Sequence, residues 1–163
     1  MQKINQYLSA GGDYAQPNAI RRAFNDLFSR QCLSGSGWNV GTGLLVARTG
    51  ALNTVAIVGG ATVVLAANTS APALTGFALT PGQFAAVITT TDGGGVLRNY
   101  FTSIEVLQSA IRYPQIPITE AVIGVVHLAP TVAFTGGVTN LDLVGVNASF
   151  SSVLGPFSPQ NIF

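Results

Sequence analysis

The order of apolar and polar residues divides the chain into two unequal parts. From residue 17 or 18 to residue 32, apolar side chains recur at Ile20, Ala23, Phe24, Leu27 and Phe28, the spacing of one helix face. Pro17 and Asn18 are start signals, Gly35 is a stop, and Arg22, Asp26 and Arg30 stand four apart on the opposite side. The pattern predicts one α-helix, preceded over residues 1–16 by an irregular arm centred on Gly11-Gly12. After the glycine-rich connector GSGWNVGTG (35–43) the period changes and strands are predicted. Residues 44–48 form one. Residues 53–58 and 61–67 are separated only by Gly59-Gly60, a strong hairpin signal, and 84–90 and 96–102 form a second hairpin around Asp92-Gly93-Gly94-Gly95. Residues 103–111 fit either a short helix or a strand, ended by Pro114 and Pro117. Segments 122–128, 132–135 and 146–153 complete the set.

Short runs rich in Val, Ile, Thr and Phe, with turn signals roughly every 8–12 residues, predict a mainly β fold. The expected architecture is an antiparallel sandwich or barrel-like domain with an N-terminal arm and one α-helix. The expected division is arm and helix in 1–35, a β domain in 36–154 and an extended tail in 155–163. Pro156 and Pro159 argue against a further strand in that tail, and its last residues, Ile162 and Phe163, are large and apolar.

Charge changes the picture more than any motif. Only 8% of the 163 residues are Asp, Glu, Lys or Arg, against about 25% in an ordinary soluble domain. A surface this poor in charge, at a net charge of +1, self-associates if all of it faces water, so coverage by other subunits is expected. The chain is 48% apolar, which argues against disorder despite the glycine and proline content. No charge occurs between Arg48 and Asp92, yet Gly50, Asn53, Gly59, Gly60, Asn68 and Pro72 interrupt the run. No apolar stretch of ~20 residues remains to form a membrane span, and MQKINQYLSAGG lacks the apolar run of a secretion signal.

The search for chemistry returns little. Six acids, Asp13, Asp26, Asp92, Glu105, Glu120 and Asp142, are spread along the chain with a single histidine, His127, and a single cysteine, Cys32. Asp92 and Asp142 fall in turns, where acids serve local geometry. His127 lies in the apolar run AVIGVVHLAP and reads as a strand histidine bonded to backbone or to a neighbouring subunit. Cys32 reads as a small hydrophobe on the helix face, with no His or acid beside it to activate a thiol. Neither a zinc site nor a phosphate-cradling loop has its required pattern: the connector at 35–43 follows a helix and precedes a strand, the reverse of those loops. Arg21, Arg22 and Arg30 make a patch too small for nucleic-acid binding. Trp38, the single tryptophan, lies in the connector, which argues against a glycan site. No catalytic group, cofactor, metal, nucleic-acid partner or membrane contact is expected.

One resemblance covers residues 114–157. Pro114-Gln115-Ile116-Pro117, the strand Ala121-Val122-Ile123-Gly124-Val125-Val126, the loop Phe134-Thr135-Gly136-Gly137-Val138-Thr139-Asn140-Leu141-Asp142, a Val/Phe strand and Gly155-Pro156-Phe157 follow one another. That order resembles small virion structural proteins of tailed bacteriophages, with Val138 where Thr is usual. The resemblance implies a structural protein that decorates and cements the outside of a capsid as a symmetric homo-oligomer, a trimer, against the major capsid protein; a tail, head-fibre or host-binding module is the alternative. It implies a virion location after synthesis in the host cytoplasm and carries over no catalytic residue. The expected interface comprises Ile20, Phe24, Leu27 and Phe28 on the helix, Gly136 and Gly137 in the loop, and Phe157, Ile162 and Phe163 in the tail.

Overall fold

A computed structural model of the chain describes residues 28–35, 37–41 and 45–156. In chain order the strands are β1 (Arg30–Ser34), β2 (Trp38–Val40), β3 (Ala47–Thr49), β4 (Thr54–Val58), β5 (Ala61–Leu65), β6 (Ala78–Leu79), β7 (Ala85–Asp92), β8 (Leu97–Phe101), β9 (Glu120–Leu128), β10 (Phe134–Thr135), β11 (Ala148–Ser152) and β12 (Gly155–Pro156). The fold is mainly β, and every pairing is antiparallel. One sheet has the order β12-β1-β4-β5 and a second the order β11-β9-β7-β8; β2-β3 and β10-β6 are two-stranded.

The hairpins follow from their turns. Gly59 and Gly60 both adopt positive φ, 60° and 82°, the backbone of a two-residue turn whose twist matches the strands it joins. At the β7–β8 tip the Asp92 carboxylate accepts from the Gly94 and Val96 amides at 2.9 and 3.0 Å, so this acid does shape its turn.

Both four-stranded sheets feed a single apolar core. Cys32, Ala56, Val58, Val63 and Leu65 come from the first sheet, and Ala85, Val87, Ile123, Val126 and Leu128 from the second. The central strand β7 is buried along nearly its whole length. Its other face carries a smaller cluster, Ala86 and Ile88 with Val122 and Val125, packed under Tyr113 and Ile116 of the covering segment before β9. Burial on both faces explains why AAVITTTD reads as a continuous run and not as an alternation.

Four expectations are corrected. Arg30–Ser34 is a strand, so the expected helix does not run to Cys32; the described residues contain no complete α-helix, and the stretch before Phe28 lies outside them. Cys32 is buried as expected of a small hydrophobe, but on a strand that pairs with β4. The last helical turn would have contributed only Cys32 to an apolar face, whereas the ladder satisfies the backbone of every residue it pairs. The connector at 35–43 is not a plain linker: β2 lies within it and Trp38 is buried in the core, its ring against Gly124 of β9. The tail begins with a strand, because Gly155 and Pro156 pair with Cys32 and Gln31. Proline is tolerated there because β12 is an edge strand, where a missing N–H can face outward. Strand pairing thus reaches beyond both expected boundaries, 35/36 and 154/155. The 103–111 segment is neither a strand nor an α-helix but holds one 3-10 turn, Gln108–Ala110.

Candidate interaction surface

The period of two in β4 and β5 decides what the first sheet shows to solvent. Thr54, Ala56 and Val58 point inward, leaving Val55 and Ile57 half-buried on the outer face. On β5, Val63 and Leu65 point inward and Thr62 and Val64 outward. Leu33 of β1 is 50% exposed and Val64 58%. Ser34 pairs with Val55, Val55 with Val64 and Ile57 with Thr62, so these side chains form one strip across three strands. The strands carry a single charge, Arg30, whose guanidinium donates to the carbonyls of Ile116 and Pro117 at 3.4 and 3.3 Å. Contiguous apolar surface of this kind marks contact with another molecule more often than isolated exposed residues do.

A second apolar surface is the loop between β10 and β11. Val138, Leu143 and Val144 are exposed there, Val144 at 91%. The loop is held by the Thr131 amide and hydroxyl, which both donate to the Gly145 carbonyl. Its base depends on Gly136, which is buried so tightly against Leu74 that any Cβ would overlap the Leu74 carbonyl. Gly136 therefore builds the loop from within, and the exposed valines and leucine form its surface.

The one place where acids converge among the described residues was not legible in their spacing. On the outer face of the second sheet, Glu120 is buried and accepts from the Thr90 hydroxyl, from Arg98 at 3.0 Å and from the Tyr100 hydroxyl at 2.9 Å. The same Arg98 nitrogen reaches Asp92 at 3.0 Å. Hydrogen bonds from Val96 and Gly94, together with Arg98, hold the Asp92 carboxyl below its ordinary value. Burial, and then the Glu120 carboxylate, push the Tyr100 phenol up. Each carboxylate oxygen already has a partner, so the cluster is a tie between the β7–β8 tip and the start of β9.

His127 lines a cleft of about 100 Å³ with Phe84, Gln108, Ile111, Asn147 and Ser149. Burial lowers its pKa, and no hydrogen bond to the imidazole is made among the described residues. Burial pushes the Cys32 thiol up, against a smaller opposing effect of a backbone hydrogen bond with Ser34. Among the described residues no three His, Cys, Asp or Glu side chains gather as a metal site, and no helix is long and apolar enough to cross a membrane.

Of the expected interface, Ile20, Phe24, Leu27, Phe157, Ile162 and Phe163 lie outside the described residues. Phe28 is 43% exposed, Gly136 is internal and Gly137 half-buried. The strip Leu33, Val55, Ile57 and Val64 was missed, although its signal is present: valines and isoleucines stand on both parities of the hairpin, so one face had to be left apolar outside. No protein-family model, no curated protein and no solved structure matches the chain.

Proposed function

We propose that this chain is a structural virion protein that attaches to the outside of a phage capsid as a homo-oligomer, a trimer, and cements contacts of the major capsid protein. In this reading its two four-stranded sheets form a sandwich. The observation that carries the reading is the apolar, almost uncharged outer face of the first sheet, in a chain with 8% charged residues. Such a surface is tolerable where symmetry mates or a capsid cover it. Many weak apolar contacts repeated by symmetry then give a firm attachment through avidity, with no single tight site and no chemistry. The one convergence of acids among the described residues is consumed by its own hydrogen bonds, which favours a structural over a catalytic role.

The test is location and copy number on purified particles carrying the chain. Labelling over the whole head surface supports decoration. Labelling confined to a vertex or to the tail assigns the head-fibre or tail reading, and absence from particles removes the virion role. Deleting residues 156–163 is expected to weaken attachment or oligomer formation; full occupancy by the truncated chain removes the tail from the interface.

A further inference from the structure

Among the described residues, strand β5 is an edge without protection. Its two-residue turn makes Val58 and Ala61 the closing hydrogen-bonded pair of the hairpin, so Ala61, Val63 and Leu65 direct their backbone groups to β4. Thr62 and Val64 direct theirs away from the sheet, and among the described residues neither makes a backbone hydrogen bond. Natural sheets guard such edges with charge, proline or a covering segment. Two of the other three edges of the four-stranded sheets have such devices: β12 carries Pro156, and β8 carries Arg98 and has Asn99 tied to the Pro72 carbonyl at 2.8 Å, while β11, ASFSS, is uncharged like β5. Among the described residues β5 has none, being ATVVL within a charge-free run from Thr49 to Thr91.

We infer that β5 pairs with β5 of a second copy of this chain, antiparallel about a two-fold axis through Val63. The pattern is self-complementary in that register. Thr62 of one copy stands opposite Val64 of the other, each pair exchanges two N–H···O=C bonds, and all outward groups of both residues are satisfied. The same register places the Thr62 side chain beside Val64 of the partner on the outer face, a β-branched cross-strand pair. It also joins the apolar strip of Val55, Ile57 and Val64 to its mate without bringing any charge to the axis. A heterologous peptide would find the same two donors and two acceptors but no such reciprocity. The pairing goes beyond the capsid reading and does not depend on it: a two-fold at β5 joins subunits in pairs whether they stand alone or belong to two trimers.

The test uses the full chain in solution. Val64→Pro removes an outward donor while leaving the ladder to β4 intact, and proline is compatible with an edge position of this kind. Loss of the paired species in Val64→Pro, with an unchanged fold by circular dichroism, is the expected result. Val64→Lys serves the same purpose if the proline variant does not fold. Register is read independently by mixing Thr62→Cys chains with Val64→Cys chains under mild oxidation. Disulfide-linked dimers are expected in the mixture and not from either variant alone, because like positions stand diagonal across the axis; the buried Cys32 thiol takes no part. A wild-type chain that remains monomeric at high concentration, a mass unaffected by both Val64 substitutions, or cross-links no faster in the mixture would overturn the pairing. Slow amide exchange at Thr62 and Val64 in a monomer would assign the edge to another segment of the same chain, with the same consequence. A trimer that survives in Val64→Pro while larger species vanish supports the pairing and leaves the capsid reading untouched.

Discussion

His127 shows how one side chain ties stability to pH. Burial holds its pKa below the ordinary 6.5, and no other ionisable side chain lines its cleft. The unfolded chain takes up a proton near 6.5 while the folded chain does not. Stability from the neutral imidazole is therefore complete above that value and declines as pH falls below it, levelling off once the folded state is also protonated. His127→Gln is expected to flatten the dependence of the urea midpoint on pH below 6.5. An unchanged slope would mean that the imidazole is solvated in both states.

At the scale of elements, β2 and β9 are joined by one contact that admits no substitution. A Cβ at Gly124 would lie 2.5 Å from Cδ2 of Trp38, so Gly124→Ala forces the indole or the strand to shift and is expected to cost about 1–3 kcal/mol. Trp38→Leu removes the ring that clashes. The double variant should then be more stable than the sum of the single changes predicts, since residues in contact couple. Denaturant unfolding of the four proteins gives that coupling, and strict additivity would show that Gly124 is needed for some other reason. A mid-strand glycine is a cue for close approach, and Gly124 was visible in the run AVIGVVHLAP. Its partner was not, because Trp38 lies far away in sequence inside a segment whose four glycines suggest only a linker. The hairpins, by contrast, were legible to within two or three residues, since Gly59-Gly60 and the Asp92 turn work through local backbone geometry.

The whole molecule has few charges with which to associate or to repel. Several of its described charged side chains are engaged inside the subunit, among them Arg30 on backbone carbonyls and Asp92, Arg98 and Glu120 in one cluster. In the proposed assembly, association through the sheet face and the β10–β11 loop would therefore be hydrophobic in origin. Its extent is expected to hold steady in 1 M sodium chloride and to increase in sulfate, which strengthens apolar burial. Sedimentation across a salt series measures this directly. Dissociation by sodium chloride would point to ion pairs, with Glu105, Arg112 and Asp142 as the first residues to mutate.

The residue pattern alone determined the β class, the two hairpins, the turn role of Asp92 and the shortage of charge. Each of these rests on local backbone preference or on composition, which no tertiary contact alters. The tertiary structure decided the rest. Residues 30–34 became a strand because β4 offers a ladder and the core offers Cys32 a place. Gly155-Pro156 joined the sheet because an edge tolerates a missing N–H. Glu120 met Arg98 because β9 and β8 flank β7. The open edge at Thr62 and Val64 exists because β5 comes last in its sheet. Strand order is a property of pairings between distant segments, and no local pattern encodes it.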